Sequence, residues 1–108
     1  MYKPRSTREI YTESLSVNST SLKRHLEDKA VPEREIRIIM ETVGKRYQEN
    51  VDAIVEECDK DMMALERVPS PLRLFVDCIA EAKRTLDLSH DTQSLLHQYT
   101  AAWEDWME

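Results

Sequence analysis

Residues 32–67 read PEREIRIIMETVGKRYQENVDAIVEECDKDMMALER. Apolar side chains recur along this stretch at Ile36, Ile39, Met40, Val43, Tyr47, Val51, Ile54, Val55, Cys58, Met62 and Leu65, mostly in steps of three or four. That period belongs to an α-helix with one apolar face. The other face is charged, with Arg37, Glu41, Lys45, Glu49, Asp52, Glu56, Asp59 and Lys60. Pro32 suits the first turn, where its missing N–H removes no hydrogen bond. Glu33 and Glu35 complement the positive end of the helix dipole. The spacing predicts one long helix over about 32–67.

A helix of that length spans ~54 Å, whereas a compact globule of this chain length is ~34 Å across. Either the helix overhangs its own domain or it breaks. A break would fall at Gly44, the single glycine of the chain, because glycine weakens a helix interior. An overhang would leave an apolar stripe in water unless a second copy covers it. One interior glycine is tolerated within a periodic pattern, so the unbroken helix is the preferred expectation. It implies a homodimer or larger oligomer, self-associating through Ile36, Ile39, Val43, Tyr47, Val51 and Ile54. Gly44 would then admit the close approach of another helix.

The rest of the chain reads as shorter helices. Ser6 and Glu9 form a capping-box pattern opening a helix over about 7–15, with Ile10, Tyr11 and Leu15 inward. A turn at Val17-Asn18-Ser19 would lead into a second short helix ending near Lys29, with Leu22 and Leu26 one turn apart. Val68-Pro69-Ser70-Pro71 closes the long helix, and Ser70 can cap a new one with Pro71 in its first turn. Leu72, Phe75, Val76, Ile79, Ala82 and Leu86 form the stripe of that helix. Ser89 is a candidate cap for the last, over about 91–107, which carries Leu95, Leu96, Tyr99, Ala102, Trp103 and Trp106. The expected architecture is a single all-α domain, a small bundle of about five helices. It comprises a short helical pair at 7–29 and a three-helix bundle and oligomerisation region at 32–108, running up-down-up because its links are short.

Composition agrees. A sandwich or barrel needs many residues that tolerate positive φ, and this chain of 108 residues has one glycine. Hydrophobic residues make up 41%, enough for one modest core, and charged residues 33%, common in helical bundles. The net charge is −6 and unevenly spread. Residues 1–30 hold six Lys/Arg against four Asp/Glu, net +2, and residues 31–108 hold nine against seventeen, net −8. An acidic chain has no overall attraction to nucleic acid, but its basic N-terminal segment could supply one. No signal peptide or transmembrane run is visible, and Asn18-Ser19-Thr20 carries little weight as a glycosylation site without one. The expectation is a cytoplasmic protein with no membrane contact. Cys58 and Cys78 occupy apolar faces and read as buried thiols, a disulfide between their helices being the alternative.

The segment Leu15-Ser16-Val17-Asn18-Ser19-Thr20-Ser21-Leu22-Lys23-Arg24-His25-Leu26 resembles the turn and recognition helix of helix-turn-helix DNA-binding proteins. Tyr11, Leu15, Val17 and Leu22 match its apolar positions. The resemblance implies that Asn18, Ser19, Thr20, Lys23 and Arg24 face the groove of DNA. It would make the protein a small transcriptional regulator with a C-terminal dimerisation bundle. The same residues also read as two ordinarily capped helices folded onto the bundle.

Other chemistry is sparse. Glu56, Glu57, Asp59 and Asp61 radiate around a helix, where only residues three or four apart converge, so no metal site is expected. His25, His90 and His97 have no metal spacing, although His90 and His97 lie two turns apart and can share a face. No nucleophile-and-base arrangement and no glycine-rich phosphate loop is present. Neither catalysis nor a cofactor is expected. Trp103 and Trp106, three apart on one helix face, either complete the core or anchor a partner, since tryptophan is favoured at binding hot spots. The sequence favours a non-enzymatic helical interaction module, a homo-oligomeric adaptor, assembly or inhibitor protein that binds itself, another protein, or both. The DNA-binding regulator is the alternative.

Overall fold

The computed structural model describes residues 6–107. It is all-helical, with no strand among the described residues. Four α-helices, α1 Thr7–Asp28, α2 Glu33–Lys60, α3 Pro71–Thr85 and α4 His90–Met107, are joined by short links, and a 3-10 turn at Met62–Glu66 lies between α2 and α3.

The N-terminal segment is one helix rather than two. Ser6 caps α1, its Oγ accepting from the Glu9 N–H at 3.2 Å, and the helix continues through Val17, Asn18 and Ser19 without a turn. The small polar residues there bond back along the helix instead of breaking it. Asn18 Nδ2 donates to Ser14 Oγ at 3.0 Å and Thr20 Oγ1 to the Ser16 carbonyl at 3.0 Å. Such residues offer the backbone local alternatives. Burial of Tyr11, Leu22 and Leu26 on one continuous face decides the competition. Ile10, expected inward, lies on the outside of α1 at 47% exposure, and Val17, an apolar position of the helix-turn-helix resemblance, is 70% exposed.

α1 ends in a Schellman motif. The Ala30 N–H bonds the Glu27 carbonyl at 3.0 Å and the Val31 N–H the Leu26 carbonyl at 3.1 Å. Ala30 takes the left-handed position, φ 59°, where glycine is usual.

The long helix is also corrected. α2 runs straight through Gly44 and stops at Asp61, whose extended backbone (φ −148°, ψ 111°) interrupts the helix. The Asp61 side chain holds the break. Oδ1 accepts from the Met63 N–H at 3.0 Å, and Oδ2 pairs with Arg67 at 2.7 Å. The stripe positions Met62 and Leu65 fall outside the described side chains. Twenty-eight residues of helix span ~42 Å, within the 46 Å long axis of the molecule. The overhang disappears, and with it the length argument for an oligomer. Gly44 serves no close approach either, since a Cβ there would meet nothing within 4 Å.

The helices alternate in direction. Tyr11, near the start of α1, donates its hydroxyl to the Pro69 carbonyl just before α3. Glu35, near the start of α2, bonds Ser89 and Thr92 at the start of α4. α1, α2 and α3 pack mutually, and α4 lies along α3; the last three helices run up-down-up. The core centres on Tyr47, fully buried, with its hydroxyl on the Tyr11 carbonyl at 2.7 Å and its ring 6.4 Å from Phe75 in an edge-on contact. Ile36, Ile39, Val43, Tyr47, Val51 and Ile54, expected to join two copies, are at most 7% exposed in the core of one chain. Once α2 fits inside the domain, α1 and α3 cover its apolar face.

Candidate functional site

Along α4, Leu96 is fully buried and Thr92 and Thr100 nearly so, which turns that line of the helix inward. Tyr99, Trp103 and Trp106 follow at steps of four and three and so form a neighbouring stripe. Tyr99 and Trp103 are half-buried, and Trp106 is 73% exposed. The rings form a continuous ladder that reaches α1. The His25 and Tyr99 rings are 5.2 Å apart, Tyr99 and Trp103 6.3 Å, and Trp103 and Trp106 5.8 Å. The last two contacts are edge-to-face, the arrangement aromatic quadrupoles favour.

A groove of about 320 Å³ runs between the end of α1 and this stripe, with His25, Lys29, Leu95, Tyr99, Ala102 and Trp103 on its walls. His25 and Lys29 stand one helical turn apart. Lys29 is exposed and pairs with no carboxylate among the described residues. The site thus offers apolar and aromatic surface with a cationic wall. Trp103 and Trp106, equivalent in sequence terms, differ in place: one half closes the bundle and the other stands in solvent.

Glu35 positions this edge. Only 5% exposed, its carboxylate accepts the Ser89 N–H at 2.7 Å, the Ser89 hydroxyl at 3.0 Å and the Thr92 hydroxyl at 2.7 Å. Burial alone would raise the pKa of this carboxyl. The Ser89 N–H, the two hydroxyls and Arg34 outweigh it and hold the group below its ordinary value. The contact clamps the N-terminus of α4, whose dipole favours a carboxylate, to the first turn of α2. In sequence, Glu35 is indistinguishable from the exposed Glu33; only the Ser89-to-Thr92 spacing hints at a polar cap in need of a partner.

The other candidates are dispersed or occupied. Asn18 and Thr20 are tied within α1, and Lys23 and Arg24 are exposed on it. Ser19 is half-buried beside the α1–α2 groove. The turn that the helix-turn-helix resemblance requires is absent, because α1 is continuous. Cys58 and Cys78 are free thiols, not a disulfide, and burial, with Glu81 and Asp77 nearby, pushes the Cys78 thiol up to about 12. The acidic face of α2 is exposed, with Glu56 paired to Lys60 at 3.2 Å. No group of three metal-ligating side chains occurs among the described residues. His90 and His97 share one groove with Lys83 and Arg84. No described helix is long and apolar enough to cross a membrane. No family model, curated protein or solved structure matches the chain.

Proposed function

We propose that this chain is a non-enzymatic helical interaction module that docks a partner protein on the His25–Tyr99–Trp103–Trp106 edge. The observation that carries the reading is Trp106, 73% exposed at the end of a ladder that is otherwise half-buried. An indole in water forgoes the largest burial gain of any side chain, and aromatic residues beside half-closed grooves are the usual anchors of protein interfaces. Lys29, with no carboxylate partner among the described residues, gives the groove a preference. It fits an amphipathic helix that presents aliphatic side chains toward Trp103 and Trp106 and a carboxylate toward Lys29. This edge is also the surface open to self-association, because Ile36, Ile39, Val43, Tyr47, Val51 and Ile54 of α2 are already buried in the core.

Sedimentation velocity over a concentration series, with wild-type protein and a Trp103→Ala/Trp106→Ala variant, tests the self-associating form. Capture of partners on the same two immobilised proteins tests the heterologous form. Association or capture that is lost in the variant, at unchanged helix content, supports the proposal. Two monomeric proteins that retain the same partners to the same extent would overturn it.

A further inference from the structure

On the opposite flank of α4, the last turns of α3 and the first turns of α4 enclose an open groove of about 470 Å³ lined by Lys83, Arg84, His90, Gln93, Ser94 and His97. Every one of these side chains can donate a hydrogen bond, and none is a carboxylate. It is a local concentration of donors on a chain of net charge −6. Glu81, on the same helix, is drawn away to Arg46 at 3.3 Å, and Asp77 to Arg73 at 3.3 Å. Asp87 and Asp91, exposed at the α3–α4 corner, do not line the groove. Lys83 and Arg84 pair with no carboxylate among the described residues.

A contact within the groove sets its polarity. Lys83 Nζ lies 3.2 Å from His97 Nδ1. An ammonium can only donate, so Nδ1 accepts and His97 holds its proton on Nε2. The cluster therefore presents an ammonium, a guanidinium and imidazole N–H groups to one volume. His90 and His97 are two helical turns apart, ~10 Å along the axis, too far for a single phosphate to touch both.

We propose that this groove binds a small, multiply charged phosphate ligand with at least two phosphoryl groups. Arg84 and Lys83 hold its charge through charge-assisted hydrogen bonds, and His90 and His97 mark its two ends. The site is separate from the aromatic edge and does not depend on it.

Inorganic tripolyphosphate, titrated into the full chain at low salt and followed by NMR shifts of the two histidine rings and the surrounding amides, is the test. Saturable shifts confined to α3 and α4 around the groove are expected, with orthophosphate about tenfold weaker because it spans one end only. Lys83→Ala/Arg84→Ala weakens binding at least about tenfold, and His97→Gln about threefold, by removal of charged and neutral donors respectively. Should the double variant fold poorly, the exposed Arg84→Ala alone carries the same expectation with a smaller loss. Shifts spread evenly over Lys23, Arg24 and Lys45, or binding unchanged in the Arg84 variant, would sink the proposal. Duplex DNA engaging the same residues more tightly than tripolyphosphate would likewise overturn it in favour of a nucleic-acid surface.

Discussion

Ala30 holds a left-handed backbone at φ 59° with a Cβ attached. The side chain costs about 1–2 kcal/mol in that region, tolerated because two Schellman hydrogen bonds and the docking of Val31 determine the corner. Ala30→Gly relieves the strain, offset in part by glycine's greater freedom when unfolded. Urea unfolding should report a gain of about 0.5–1 kcal/mol, and an unchanged or lower midpoint would contradict the assigned strain. Gly44 presents the inverse case. A helix-interior glycine with open space around its Cα gains about 1 kcal/mol on replacement by alanine. Thermal melting of Gly44→Ala should rise by about 4 °C or more; a fall would mean that some contact requires the glycine.

Glu35 ties stability to pH. Its carboxyl is held below its ordinary value of 4.5 in the folded chain. The unfolded state therefore binds a proton first as pH falls. The stabilisation is complete above the ordinary value and is lost as pH drops through the lower folded one. Glu35→Gln keeps the volume but sets an amide against donors that need an acceptor. Its expected cost is about 1–3 kcal/mol at pH 7. Comparing urea midpoints of both proteins at pH 7 and pH 3 tests this. The gap should narrow at the lower pH, and a constant gap would assign the loss to packing alone.

At the scale of the element, α1 and α2 each oppose a local signal to a long-range one. In α1, Val17-Asn18-Ser19 carries turn chemistry, yet Leu22 and Leu26 must share a face with Tyr11, and only an unbroken helix aligns them. Val17→Pro separates the two possibilities. Val17 is 70% exposed, so little packing is lost; within a continuous helix, proline there costs about 3 kcal/mol or more. A variant as stable as the wild type would place a turn at this point. In α2 the apolar period continues past Lys60, but Asp61 competes for backbone N–H groups as a cap does. Its pairing with Arg67 and the capped Met63 N–H secure the stop. The resulting helix matches the molecule's length, which is why one charged residue removes the geometric need for a second copy.

The whole molecule is longer than its size requires. Its radius of gyration is 15.0 Å, against ~13 Å for an average domain of this length. Three helices, α1 to α3, enclose the core, and α4 is laid along α3 with its aromatic stripe at the seam with α1. That arrangement leaves one flank of α4 apolar and the other cationic. It also predicts an asymmetry between the two tryptophans. Trp106→Ser should change stability by no more than about 0.5 kcal/mol, as surface substitutions do. Trp103→Ala, removing a half-buried ring in contact with Tyr99, should cost about 1–2 kcal/mol. Equal losses measured by chemical unfolding would place both rings in the core.

The amino-acid sequence by itself determines the all-α class, the apolar face of α2, most of that of α3 (the buried Leu74 lies off the expected stripe), and the caps at Ser6, Ser70 and Ser89. Each of these is a local pattern, in which period and hydrogen-bonding chemistry act over a few residues. Only the tertiary structure decides that α1 is continuous, that α2 ends at Asp61, and that Glu35 is buried while Glu33 is not. It alone sends Trp106 outward and Trp103 half inward, and brings Lys83, Arg84, His90 and His97 to one groove. Most of these outcomes depend on where residues distant in the chain come to lie, which no local period encodes; the stop at Asp61 is the exception, held by its own bonds to Met63 and Arg67.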